Sequence, residues 1–274
     1  MRFFPKCSST YGGQNFFLGG KHMKRAKYVL MVLSGKGGVG KTTVAVNLAS
    51  ALAHGHRVGL LDADLHGPNV PKMLGLEGTT LRVQNGKIIP AVTPDNLLVV
   101  SLEFALPSTD APVIWRGPLK MKAIQQFVEE VDWGELDLLV ADLPPGTGDE
   151  PLSIAQLLSP VEGALVVTTP QDVALLDARK AVNFARAVGV QRIGVVENMA
   201  GLRCPHCGEE IRLFGEGGAE RMAKTMGVEF LGRIPFFPEV VAASDAGKPL
   251  DFSKESREAF LALAEKVWAF LEGA

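Results

Sequence analysis

The sequence predicts a doubly wound α/β fold: a mostly parallel sheet with helices on both faces. Three observations carry this prediction. Continuous apolar, β-branched runs alternate with helical stretches from Tyr28 onward, the pattern of strands covered on both sides. The first such run enters a glycine-rich loop and then a helix, as a strand does at the ligand crevice of an open parallel sheet. No low-complexity linker or internal repeat divides the chain after residue 27. The 274 residues therefore read as an extension over 1–26 and one domain over 27–274.

The elements follow in order. "YVLMVLS" (28–34) reads as a buried strand, and "TTVAVNLASALAHG" as a helix ending near Gly55. "RVGLLDAD" (57–64) and "LLVVS" (97–101) are the next strands. "LKMKAIQQFVEEV" (119–131) places Met121, Ile124, Phe127, Val128 and Val131 on one helical face. "LDLLVADLPPG" (136–146) is a strand stopped by two prolines, and "GALVVTTP" (163–170) is another. Residues 172–188 read as a helix, 192–199 as a strand and 228–235 as the last clear strand. The terminal run 257–273 is amphipathic, with Phe260, Leu263, Val267 and Leu271 aligned. Its polar face mixes Glu258, Glu265 and Lys266, so it reads as a helix docked on the sheet and not as a basic membrane-surface helix.

Bulk properties narrow the function classes. Hydrophobic residues make up 47% and charged residues 21%, an ordinary globular balance. The formal net charge of -2 gives no global attraction to nucleic acid. No apolar run reaches the roughly 18–20 residues needed to span a bilayer, so neither nucleic acid nor membrane is an expected partner. The three cysteines, Cys7, Cys204 and Cys207, are too few and odd in number for a disulfide framework. They fit a reducing, cytoplasmic compartment. Residues 1–26, basic and without an acid, read as a disordered extension or over-long start, with Met23 near the first strand. The alternative is an organelle-targeting segment. Cys7 gets no role.

"GKGGVGKTT" (35–43) satisfies G-x-x-x-x-G-K-[ST] between a strand and a helix, the context this phosphate-binding motif requires. Gly35, Gly37, Gly38 and Gly40 let the backbone, with Val39, wrap closely and aim N–H groups at phosphate oxygens. The helix start adds its positive end. Lys41 is the charge for the β/γ-phosphates, the Thr42 hydroxyl is a Mg²⁺ ligand, and Thr43 completes the loop. Lys36 is extra to this motif. It reads either as a solvated charge or as a second cation reaching a phosphate, in trans from another subunit. Asp142 closes "LLVAD" and fits the acid that supports Mg²⁺. Gly146 in the following "PPGTGDE" is placed to offer an N–H to the γ-phosphate. Asp62 and Asp64 end "LLDAD"; one can sit near the metal and the other can position the attacking water.

"CPHCG" supplies Cys204 and Cys207 at C-x₂-C spacing, two ligands of a four-ligand site. A redox dithiol would be expected early in a thioredoxin-like βαβ context, not here. A second subunit would complete Cys₄ by symmetry. Ligand chemistry alone leaves zinc and an iron–sulfur cluster level, since both accept four thiolates.

The loop with Lys36 resembles the deviant phosphate loop of the MinD/ParA group of dimeric ATPases. Within that group, "DADLHGPNVPKMLG", "IWRGPLK", "DLPPGTGDEPLS", "TTPQDVAL", "VVENMAG" and "CPHCG" resemble the Mrp/ApbC branch, iron–sulfur cluster carriers related to the Nbp/Nubp and Ind proteins. The likeness runs from about Lys27 to about Leu250. It implies a slow, switch-like ATP hydrolase that binds ATP and Mg²⁺. It also implies a homodimer sharing a four-iron four-sulfur cluster, with cluster donors and apo iron–sulfur proteins as partners. On this likeness Lys36 contacts nucleotide across the dimer, Lys41, Thr42 and Thr43 bind phosphates and Mg²⁺, and Asp64 positions water. Asp62 and Asp142 support the metal, Asn198 hydrogen-bonds adenine, and Cys204 and Cys207 hold the cluster. Two other outcomes are a positioning ATPase of the ParA/MinD kind, acting on DNA or membrane, and a zinc-stapled regulatory ATPase.

Overall fold

The computed structural model describes residues 26–64, 67–105 and 117–273. The elements are β1 (Ala26–Leu33), α1 (Lys41–Ala53), β2 (Val58–Asp62), α2 (Val70–Met73), β3 (Arg82–Gln84), β4 (Lys87–Ile89), β5 (Ala91–Val92) and β6 (Leu98–Ser101). There follow α3 (Gly117–Glu129), β7 (Leu136–Asp142), α4 (Asp149–Leu158), β8 (Gly163–Thr168), α5 (Asp172–Ala187) and β9 (Arg192–Asn198). The chain ends with β10 (Leu202–Arg203), β11 (Glu210–Ile211), α6 (Gly218–Met226), β12 (Glu229–Ile234), α7 (Pro238–Asp245) and α8 (Lys254–Glu272).

Eight strands form one sheet in the order β12-β9-β8-β1-β7-β2-β6-β5. Every described pairing within it is parallel except β5 with β6. The alternation along β1 explains the two layers. Leu30 and Val32 enter one core with α1, α2, α7 and α8, while Met31 and Leu33 enter the other with α3, α4, α5 and α6. Both faces are covered, so the strand reads as one continuous apolar run. α1 is buried on nearly all sides from Val44 to Leu52 because α8 lies over it. Phe260, Leu263, Val267 and Leu271 of α8 are all buried, as the periodicity predicts. Ser253 caps that helix by accepting from Ser256 N–H, and Gly273 ends it at a φ of 79°.

Several boundaries move. The second strand stops at Asp62, leaving Asp64 in the following loop, and the fourth large strand stops at Asp142. The helix read over 119–131 spans Gly117–Glu129, and Val131 lies beyond it yet is fully buried. Two short ribbons, β3-β4 and β10-β11, stand outside the sheet. The expected extension over 1–26 lies outside the described residues apart from Ala26, which opens β1. Cys7 and most of "IWRGP" lie outside them too.

Candidate functional site

Parallel register lines up the polar ends of three strands. Asp142 ends β7, Asp62 pairs with it at the end of β2, and Ser101 pairs with Asp62 at the end of β6. The phosphate loop leaves β1, the strand on the other side of β7. The loop and both acids therefore share the carboxyl-end crevice of the sheet.

The loop turns into α1 through Gly40 at a φ of 80°, with Gly38 also at 80°. Side-chain-bearing residues rarely adopt this conformation. Gly35 is needed for another reason: a Cβ there would fall 2.1 Å from the Asp177 carbonyl oxygen on α5. Above Gly37 and Gly38 there is open space, so the rim of the loop can receive a bulky anion. Lys36 follows Gly35 and is partly exposed.

Lys41 is only 6% exposed. Its Nζ donates to Asp142 Oδ1 at 2.6 Å and lies 3.9 Å from Asp64 Oδ2. The Thr42 hydroxyl donates to Asp142 Oδ2 at 2.7 Å. Asp62 has other partners: its Oδ2 accepts from the Ser101 hydroxyl at 2.9 Å and its Oδ1 from Asp64 N–H at 3.2 Å. Burial, then the nearby charge of Asp142, pushes the Asp62 carboxyl up to about 8, against the pull of Ser101 and Lys41. Burial also raises Asp142, against the pull of Lys41 and Thr42. Two buried carboxyls beside a threonine hydroxyl form an all-oxygen donor set, which suits Mg²⁺. A divalent cation would offset the cost of holding these buried carboxyls in their charged form.

The remaining predicted residues separate into those at the loop and those away from it. Asn198, at the end of β9, donates from Nδ2 to the Val39 carbonyl at 2.9 Å. Gly146 is at the crevice with a φ of 94°, and its N–H is given to the Ser34 carbonyl at 2.8 Å. Offering it to a phosphate requires exchanging that bond. The Thr43 carbonyl accepts from Asn47 within α1. Sequence reasoning missed Ser101, although a polar residue closing the apolar run "LLVVS" is a readable signal.

Cys204 and Cys207 lie in the turn between β10 and β11. Cys204 N–H donates to the Glu209 carbonyl at 2.8 Å, and Gly208, at a φ of 74°, donates to the Cys204 carbonyl at 2.9 Å. The turn lowers the Cys204 thiol below its ordinary range: its sulfur accepts from the backbone N–H of Cys207, then of His206, and from the Cys207 thiol. A thiolate is the metal-binding form. Cys207 and His206 are exposed. Among the described residues no group of three or more His, Cys, Asp or Glu side chains is gathered for a metal ion; the hairpin turn carries the two thiols of Cys204 and Cys207.

Residues 25–268 match the family model described as ParA, NUBPL iron-transfer P-loop NTPase. The chain belongs to this family. It is 47% identical over 253 residues to a protein of Methanocaldococcus jannaschii called an iron–sulfur cluster carrier protein, covering 90% of this chain and 87% of the relative. A Saccharolobus solfataricus protein of the same name is 49% identical over 255 residues, covering 91% and 86%. Among solved structures, an Archaeoglobus fulgidus nucleotide-binding protein in complex with ADP superposes with a TM-score of 0.74 at 38% identity, covering 86% of this chain and 93% of that one. The MinD cell division protein of Aquifex aeolicus superposes at 0.65 with 25% identity, covering 88% and 97%. The NUBPL-type family and its MinD-like fold are thus those the sequence motifs resemble.

Proposed function

We propose that this NUBPL-family chain binds ATP with Mg²⁺, hydrolyses it slowly, and works in the cytoplasm as a homodimer that carries a four-iron four-sulfur cluster to apoproteins. One observation carries the reading. A two-thiol half-site with a hydrogen-bonded, lowered Cys204 grows from the strand end whose Asn198 holds the phosphate loop. On this reading a twofold axis completes four thiolates, and Lys36 on the loop reaches nucleotide on the second chain. The iron–sulfur names of the relatives favour a cluster over zinc.

In this proposal the loop amides and Lys41 take the phosphates. Lys41 exchanges its buried contact with Asp142 for phosphate oxygens, and Thr42 and Asp142 then hold Mg²⁺, with Asp62 behind them. The cation neutralises charge at the β/γ-phosphates. Asp64, less buried than Asp62, orients the attacking water, and Gly146 releases Ser34 to meet the γ-phosphate. Domain 27–274 acts as one unit.

Anaerobic reconstitution with iron and sulfide tests the reading. The wild type develops a visible iron–sulfur spectrum, which Cys204→Ser and Cys207→Ser lose. A colourless wild type with one zinc per dimer supports the zinc-stapled alternative and overturns the cluster assignment.

A further inference from the structure

The two residues that end β9 grip different parts of the molecule. Successive strand side chains point to opposite faces. Asn198 turns to the phosphate loop and holds the Val39 carbonyl at 2.9 Å. Glu197 turns the other way and is fully buried. One of its oxygens accepts from Gly217 N–H at 3.2 Å and the other from Ala219 N–H at 2.8 Å, at the start of α6. Arg233 on β12 supplies the counter-charge, its Nε 3.3 Å from Glu197 Oε1.

The whole cysteine excursion runs between these grips. The chain leaves β9 at Met199, whose φ of 56° is left-handed, passes through Cys204 and Cys207, and returns at Gly217 to the Glu197 carboxylate. The outgoing limb is tied to the end of β12 by Ala200 N–H on the Ile234 carbonyl and Phe236 N–H on the Gly201 carbonyl. A buried carboxylate bound to two amides and an arginine cannot release them cheaply. Any shift of the β9 end therefore moves the return limb with it. A surface link from the hairpin, Arg203 to Glu255 at 3.7 Å, is an exposed pair on both sides and transmits little.

We infer that Glu197 is a positioning residue that couples occupancy of the nucleotide site to the metal affinity of the Cys204–Cys207 site. The inference rests on the nucleotide and metal roles proposed above. Adenine recognition by Asn198 draws on the same amide that holds Val39. Nucleotide-bound and nucleotide-free chains then differ one residue from Glu197, which gives each ligand a differential contact with two arrangements.

The test uses the full chain and Co²⁺ as the probe, read by its thiolate charge-transfer absorption, with and without saturating Mg·ADP. In the wild type the apparent Kd for Co²⁺ differs at least ~5-fold between the two conditions. In Glu197→Gln both ligands still bind, and the ratio falls within ~2-fold of unity. A purely structural role would weaken both Co²⁺ affinities together and leave the ratio intact, which overturns the inference. Should Glu197→Gln not fold, Arg233→Gln, partly exposed, gives the same readout. Arg212→Ala, on the excursion and paired with Glu216 at the surface, keeps the wild-type ratio. A wild type that binds both ligands with a ratio of one overturns the coupling and leaves the proposed function standing. A wild type without a thiolate band, or without nucleotide binding, fails at the proposed function itself and takes the inference with it.

Discussion

Asp62 and Asp142 stand in register at the ends of neighbouring parallel strands, both buried. Asp142 has Lys41 and Thr42, while Asp62 has a serine hydroxyl and an amide. Burial, then the Asp142 charge, lifts Asp62 from 3.8 to about 8. The folded chain thus holds this proton more tightly than the unfolded chain. The resulting stabilisation is full below the unfolded value, declines as pH rises, and is lost above about 8. In chelator, the melting temperature should fall between pH 5 and 8. Asp62→Asn, neutral throughout, should flatten that fall. Equal slopes for the two proteins would refute the assignment.

Lys41 and Asp142 make a buried pair at 2.6 Å. Removing one partner strands the other, at a cost of about 3–5 kcal/mol. Lys41→Ala should abolish nucleotide binding and also lower the melting temperature. Adding Asp142→Asn should recover much of the stability and none of the binding. Melting curves beside nucleotide titrations separate the two effects, and a Lys41→Ala protein that binds nucleotide normally contradicts the proposed phosphate role. Asp64→Ala should keep binding and lose turnover; unchanged hydrolysis removes Asp64 from the mechanism.

Two glycines of one loop should fail differently. A Cβ at Gly35 meets the backbone of Asp177 at 2.1 Å, whereas a Cβ at Gly37 meets nothing within 4 Å. Backbone on α5 cannot move aside as a flexible side chain does, so Gly35→Ala should cost about 1–3 kcal/mol through overpacking. Gly37→Ala should leave the melting temperature nearly unchanged, yet weaken nucleotide binding, because the methyl enters the space proposed for phosphate. The idea fails if both variants lose stability equally.

Much of this site was legible before the fold was known, because it depends on strand ends. A phosphate loop after the first apolar run and an aspartate closing "LLVAD" need only local pattern, and parallel register then brings them together. Ser101 was not legible as a partner of Asp62, since its role arises from β2-β6 pairing across about 40 residues of sequence. Glu197 was hidden for the same reason: an acid within "VVENM" has no local partner, and its amides come from the start of α6. α4, α6 and α7 follow proline- or glycine-rich loops and are short, so their periodicity has little room to show. The ribbon that presents the cysteines has two residues per strand, below any pattern a sequence can display.

The two thiols of the hairpin turn differ in their exposure, Cys207 being the more exposed. Cys204 accepts from two backbone amides and from the Cys207 thiol, and its pKa is lowered accordingly. The lowered Cys204 thiol should react with iodoacetamide faster than a cysteine of the unfolded chain, since the thiolate is the nucleophile. Fragment-ion mapping assigns each adduct, and Cys7 is read on a separate peptide. Cys207→Ala removes one of the three donors and leaves the amides. The pH midpoint for alkylation of Cys204 should therefore move up, but stay below that of a free cysteine in the unfolded chain. If the midpoint does not move, the Cys207 thiol contributes nothing to the state of Cys204. If it rises to the unfolded value, the amide bonds of the turn do not form in solution. Only the second result would mean that the turn is not pre-arranged to hold a thiolate before metal arrives.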